Sequence, residues 1–411
     1  MAQTGSIEPG TAQATGKAAV RPFQIPDVSD AELTDLKKRI NATRWPERET
    51  VADVSQGTQL ATMQKLAKYW ANDYDWRKCE AKLKALPHFI TEIDGMDIHF
   101  IHVQSKHEDA LPLIVTHGWP GSIVEQLKII EPLTNPTAHG GKESDAFHLV
   151  IPSIPGYGYS GKPSPTNDGW DPPKIARAWT VLMKRLGYDQ FVAQGGDWGA
   201  VITESLAAQA PPELLGIHVN MPSAVPADIL KAVAERSPPP AGLSADEKRA
   251  YEQLTQFLGK HLGYAIMMAT RPQTLTALVD SPIGLAAFLL DHDDRSLELK
   301  SRVFDGKPEG LTRDDVLDNA TLFWVTSTAI SAARLYGEFK GSFFVPFNVK
   351  IPVAVSAFPD ELYQCPKSWA EKVYPKLIHY NRLPKGGHFA AWEQPQFLVD
   401  EIRTGLRSLR P

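Results

Sequence analysis

The sequence predicts an α/β fold: a mostly parallel sheet of eight strands with helices on both faces, a helical segment before it and a helical insertion within it. Three observations predict this. From Phe89 onward, short apolar β-type runs alternate with helical patterns, as buried parallel strands and their crossovers do. Before about residue 85 only helices and loops are legible. Between 223 and 340 the strand signal disappears and then returns for two final runs. A chain of 411 residues, 43% hydrophobic and 22% charged, can bury a large core.

Residues 1–22 are small and polar and read as a disordered leader without the apolar stretch of a secretory signal. Residues 23–88 form an N-terminal helical segment. Ser29 and Glu32 make a capping box ahead of Leu33, Leu36 and Ile40 at helical spacing. That helix stops before Arg44-Trp45-Pro46, because proline disfavours helix in the residue preceding it. A second helical stretch leads through Met63–Tyr69 to the aromatic cluster Trp70, Tyr74 and Trp76. The first part of the sheet core spans 89–222, with strand-like runs at Phe89–Ile93, Ile98–Gln104, Leu113–Thr116, Phe147–Ile151, Phe191–Gln194 and Leu215–Val219. Residues 223–340 are a helical lid, which carries a second capping box at Ser244 and Glu247. The second part of the core, 341–411, holds the runs Val353–Phe358 and Ile378–Leu383.

Composition narrows the function. A net charge of -5 argues against nucleic acid or an anionic membrane surface as partner. No window reaches the roughly 18 apolar residues that span a bilayer, so no membrane anchor is expected. Cys79 and Cys365 are far apart and have no metal-finger or redox spacing, which fits reduced thiols and a cytoplasmic location. There is no metal-ligand cluster or phosphate-binding glycine loop, so no metal and no cofactor is expected. The oligomeric state is left open, a homodimer included.

The chemistry starts at Phe191-Val192-Ala193-Gln194-Gly195-Gly196-Asp197-Trp198-Gly199, where an apolar strand runs into small-x-Asp-x-small. This is the layout of the nucleophile elbow of the α/β-hydrolase fold, with Asp in the reactive position. A carboxylate is ionised at neutral pH and needs no base to attack a saturated carbon bearing a leaving group. The resulting ester must then be cleaved by water, which calls for a neutral histidine. His388 follows the last strand-like run in Gly386-Gly387-His388, after nucleophile and acid in chain order. The acid falls after the preceding run, where Asp360 and Glu361 are adjacent and spacing does not choose between them. His117-Gly118-Trp119-Pro120-Gly121-Ser122 occupies the loop that supplies one oxyanion donor. The backbone N–H groups of Trp119 and Trp198 are therefore the expected pair.

Together these strings resemble the microsomal-type epoxide hydrolases and their soluble fungal and bacterial relatives. The matching residues are HGWPGS at 117–122, PGYGYSG at 155–161, GGDWG at 195–199, RPQT at 271–274, DSPIGLAA at 280–287, SAFPDEL at 356–362 and GGHFAAWEQP at 386–395. The segment from Phe23, with Arg44-Trp45-Pro46, is similar to the N-terminal meander of that family. The resemblance implies an α/β-hydrolase that opens small-molecule epoxides with water. It implies Glu361 as the acid, with Asp360 in reserve. It also implies two lid tyrosines that donate to the epoxide oxygen, which fall on Tyr264 (after Gly263) and Tyr336 (in Ala333-Arg334-Leu335-Tyr336). A phenol with pKa near 10 stays protonated at neutral pH and suits that task. The mammalian members' membrane anchor has no counterpart in residues 1–22. A haloalkane dehalogenase is the alternative reading, since it shares the Asp nucleophile, the histidine and the fold; the matched tyrosines and meander weigh against it.

Overall fold

The computed structural model describes residues 15–410. Its strands are β1 (Arg21–Pro22), β2 (His88–Ile93), β3 (Met96–Val103), β4 (Leu111–Thr116), β5 (Phe147–Pro152), β6 (Phe191–Gly195), β7 (Leu214–Val219), β8 (Val353–Ala357) and β9 (Leu377–Arg382). They form one sheet in the order β1-β2-β3-β5-β4-β6-β7-β8-β9. β5, β4, β6, β7, β8 and β9 pair in parallel, while β1, β2, β3 and β5 pair antiparallel in succession. The result is an α/β-hydrolase sheet. β6 and β8 are buried at every position, which explains why they read as continuous apolar runs and not as alternating ones.

Nine strands replace the expected eight. The extra one is β1, inside the segment expected to be a disordered leader. Residues 1–14 of that leader lie outside the described residues, but Gly16–Ala18 make a 3-10 turn and Arg21 and Pro22 pair with Ile90 and Phe89. The Thr91 hydroxyl donates to Ala18 O at 2.8 Å, and Phe23 N–H to His88 O at 2.8 Å. Two residues carry no periodicity, and Pro22 lacks an N–H, so a strand there is tolerated only at a sheet edge.

The N-terminal helices are α1 (Asp30–Asn41), α2 (Leu60–Asn72) and α3 (Trp76–Lys84); α1 opens on the Ser29–Glu32 capping box. The core helices that follow are α4 (Leu127–Thr134), α5 (Pro172–Arg185) and α6 (Trp198–Gln209). Between β7 and β8 come α7 (Ala227–Ala234), α8 (Ala245–Gln256), α9 (Gly263–Thr270), α10 (Pro282–Leu290), α11 (Asp294–Phe304), α12 (Arg313–Thr326) and α13 (Ala329–Glu338). The aromatic cluster near residue 70 grips α12. Trp70 donates to Thr321 at 3.1 Å, and the hydroxyls of Tyr74 and Tyr69 donate to Asp318 and Asp314, each at 2.8 Å. From α12, Asn319 donates to Pro120 O at 2.7 Å and accepts from Ser122 at 2.7 Å. The N-terminal segment is thus tied through α12 to the loop after β4.

α6 is buried along most of its length and carries Glu204, whose two oxygens accept the Ser223 N–H at 3.0 and 3.1 Å and whose Oε1 accepts from the Tyr374 hydroxyl. Burial raises this carboxyl from 4.5 to about 7. The folded value exceeds the unfolded one, so the group stabilises the fold fully below pH 4.5, and that contribution is lost as pH rises through about 7. Glu204→Gln should remove this loss and flatten the decline in unfolding free energy between pH 5 and pH 8 by about 2–3 kcal/mol. Urea titrations at both pH values measure it; an unchanged slope contradicts the assignment.

Candidate active site

The strand-to-helix turn between β6 and α6 holds Asp197 at φ 50°, ψ -129°, a conformation that costs a non-glycine residue strain and persists only where the surroundings enforce it. Close packing enforces it. A Cβ on Gly199 would overlap Thr116 O of β4, and one on Gly195 would overlap Gly199 O. The turn therefore lifts the Asp197 side chain off the sheet and onto the loop after β4. There its Oδ1 accepts the Trp119 N–H at 2.6 Å. The Trp198 N–H supports the same carboxylate. Gly118 leaves the room: a Cβ there would overlap the Asp197 carboxylate itself. The loop is held from behind by His117, whose Nε2 accepts the Ile154 N–H at 3.1 Å.

His388 sits in the loop after β9 and is fully buried. Its Nε2 lies 3.1 Å from Asp197 Oδ2, and its Nδ1 is bonded to Glu361 Oε1. Of the two adjacent carboxylates, Glu361 is therefore the one at the imidazole. Asp360 points away, half exposed, 3.9 Å from Arg295. Burial pushes His388 toward neutrality, yet the carboxylates of Glu361 and Asp197 outweigh it and hold the imidazole well above its ordinary value. Burial would likewise raise Asp197, but the His388 hydrogen bond and charge and the Trp198 N–H keep it below its ordinary value. The resting pair is a carboxylate facing an imidazolium.

Tyr264 on α9 and Tyr336 on α13 border a small cavity that also borders Asp197, Met221, Phe343 and Leu362. The two helices pack closely, with Gly337 against the backbone of Ala269. Each phenol rests on one of the oxyanion-loop or elbow tryptophans. Tyr264 stacks on Trp119 with centroids 4.8 Å apart, and Tyr336 meets Trp198 edge to face at 4.8 Å. Burial raises both phenols well above 10, so both are donors at neutral pH. The structure thus brings Asp197, His388, Glu361, Tyr264, Tyr336 and the Trp119 and Trp198 N–H groups into one site.

One member has no signal in the sequence. His292, between α10 and α11, stacks on His388 with centroids 4.5 Å apart and planes at 17°, and its Nε2 lies 3.8 Å from Asp197 Oδ2. It comes 96 positions before His388 and just past the matched DSPIGLAA string, in an Asp-His-Asp-Asp run that reads as a solvated helix start. Asp197, His292 and His388 place three metal-capable atoms within 4.8 Å of one another.

Two family models match the chain. The epoxide hydrolase N-terminus model covers residues 20–126, and the alpha/beta hydrolase fold model covers residues 112–259. A protein of Stigmatella aurantiaca, provisionally assigned by its name to the epoxide hydrolases, is 49% identical over 95% of this chain and 86% of its own length. Epoxide hydrolase 1 of Oryctolagus cuniculus is 36% identical over 93% of this chain and 88% of its own. Among solved structures, the juvenile hormone epoxide hydrolase of Bombyx mori superposes with a TM-score of 0.81 at 29% identity, covering 96% of this chain and 95% of that one. An Aspergillus niger epoxide hydrolase superposes with a TM-score of 0.79 at 28% identity, covering 96% and 97%.

Proposed function

The chain belongs to the microsomal-type epoxide hydrolase family and is a hydrolase acting on epoxides, and from that premise we propose that it works through a covalent ester on Asp197. Asp197 Oδ2 attacks one epoxide carbon and the carbon–oxygen bond of the ring breaks. Tyr264 and Tyr336 hold the ring oxygen and supply the proton that the alkoxide needs. In the ester, Asp197 has lost its charge, so one of the two carboxylates that kept His388 protonated is gone. The imidazolium returns a proton, through water, to the phenolate left on Tyr264 or Tyr336, and the neutral His388, still oriented by Glu361, becomes the base that the next step requires. It takes a proton from water, whose oxygen bonds to Asp197 Cγ while the Trp119 and Trp198 N–H groups hold the charge on Oδ1. Cleavage of Cγ–Oδ2 releases the diol, which carries Oδ2 away.

The observation that carries this reading is the pairing at Asp197. One oxygen is held by the Trp119 N–H at 2.6 Å, and the other faces His388 at 3.1 Å beside the tyrosine-lined cavity. The domain division at 23, 89, 223 and 341 belongs to the same reading, with the tyrosines supplied by the lid and the other groups by the core. So does a cytoplasmic enzyme: both cysteines are buried and unpaired, and among the described residues no helix is long and apolar enough to cross a membrane.

The direct test is a single turnover in ¹⁸O-water with enzyme in excess. The first diol should carry an unlabelled new oxygen, and the label should appear in the Asp197 peptide. A fully labelled first diol with an unlabelled peptide would mean that water attacks the epoxide directly.

A further inference from the structure

We propose that His292 and Asp293 form a second imidazole–carboxylate dyad, which positions the hydrolytic water jointly with His388; the proposal rests on the covalent-ester reading above.

His292 is fully buried, and its partners fix what each nitrogen does. Asp293 caps α11: one carboxylate oxygen accepts the Ser296 N–H at 2.9 Å, and the other lies 2.9 Å from His292 Nδ1. A carboxylate only accepts, so Nδ1 carries the proton and Nε2 presents a lone pair. The remaining neighbours are aromatic: Tyr264, Phe389, Trp119 and Phe257, at centroid distances of 5.3, 5.7, 6.1 and 6.3 Å. Among the described residues Nε2 has no hydrogen-bond partner. A buried acceptor left this way is costly unless something donates to it. Burial, with the charge of His388, lowers the affinity of His292 for a second proton, so the ring stays neutral.

Nε2 faces the nucleophile. At 3.8 Å from Asp197 Oδ2 it is beyond direct hydrogen-bond reach. His388 Nε2 is 3.1 Å from the same oxygen on the stacked ring. Once the ester forms, Oδ2 is bonded to substrate carbon and two imidazole acceptors flank the same acyl group. A water there donates one O–H to each. His388 takes its proton, and the water oxygen bonds to Cγ. The proton then passes from His388 to Oδ2 as Cγ–Oδ2 breaks. His292 takes no proton at any stage. It fixes the second hydrogen and so aims the oxygen lone pair at Cγ, and its neutral ring tolerates the transient charge on the His388 ring stacked against it.

Rapid-quench single turnovers on styrene oxide, read by intact-protein mass, separate ester formation from ester breakdown. In His292→Phe, which keeps the aromatic stack, formation should stay within about threefold of the parent while breakdown slows on the order of 10- to 100-fold. His292→Gln, which returns an acceptor near the Nε2 position, should recover most of that loss. Asp293→Asn can keep the cap on Ser296 while presenting an N–H to Nδ1, which turns Nε2 into a donor; breakdown alone should slow. Breakdown within about twofold of the parent in both His292→Phe and Asp293→Asn would overturn the proposal, as would equal slowing of both steps, the signature of a structural role. If His292→Phe does not fold, Asp293→Asn alone decides by the same criteria. Absence of any ester in the parent would instead remove the covalent reading and this proposal with it. An ester that forms and breaks normally in the variants removes His292 alone.

Discussion

Replacing His388 by Gln should leave an enzyme that alkylates itself once and then stalls. Glutamine can still donate to Asp197 from about the Nε2 position, so the carboxylate stays oriented and its attack on the epoxide survives. It cannot accept a proton from water. A positioned general base contributes roughly 10²- to 10⁴-fold, and ester breakdown should fall by that factor. Intact mass after brief exposure to substrate should show a stoichiometric gain of one substrate mass, and fragmentation should place it on Asp197. The same variant separates His388 from Glu361. Glu361→Gln removes one of the carboxylates that hold the imidazole above its ordinary value, so the ring should lose its proton at lower pH and still act as a base, more weakly. Fast steady-state turnover by His388→Gln, with no adduct, would show that the imidazole is not the base.

How much of this was legible in the sequence follows from how local each signal is. The elbow is local: an apolar strand, three glycines and an aspartate are adjacent, and the turn they enforce is the one observed at Asp197. The central strands are local as well, because a strand buried on both faces, as β6 and β8 are, must be apolar along its length. β1 is not, since two residues at an edge are held by what Phe89 and Ile90 offer and not by their own pattern. The choice between Asp360 and Glu361 turns on which side chain the chain direction after β8 points inward, and spacing is blind to that; resemblance supplied it. His292 is the instructive miss. The chemistry that marks it, a proton on Nδ1 and an Nε2 beside Asp197 without a hydrogen-bond partner among the described residues, arises only when the segment between α10 and α11 folds against Asp197. The same holds for the chain of contacts from Trp70 and Tyr74 through α12 to Pro120 and Ser122, which joins three separated segments of sequence.

The double variant Tyr264→Phe with Tyr336→Phe should fail at the opposite step from His388→Gln. Opening the ring leaves an alkoxide, and apart from Asp197 and the two phenols the lining of this pocket is Met221, Phe257, Phe343 and their apolar neighbours, while the His388 imidazolium is engaged by Asp197 and Glu361. Both phenols are held protonated by burial, so each enters the reaction ready to donate. Removing one leaves the other, and the loss should be partial. Removing both should slow alkylation by on the order of 10³-fold or more, since an unpaired oxyanion in a low-dielectric site costs several kcal/mol. Alkylation has an optical readout, because Tyr264 and Tyr336 pack on Trp119 and Trp198, which flank the carboxylate that changes charge. Stopped-flow tryptophan fluorescence should therefore show a slow or absent first phase in the double variant. A primary alkyl bromide distinguishes loss of proton donation from loss of shape. Bromide leaves as a stable anion and needs no proton, so any slow alkylation that the parent enzyme shows with it should persist in the double variant. If epoxide and bromide alkylation fall together, the phenols serve to shape the cavity; if epoxide alkylation does not fall at all, the oxygen is held by something else.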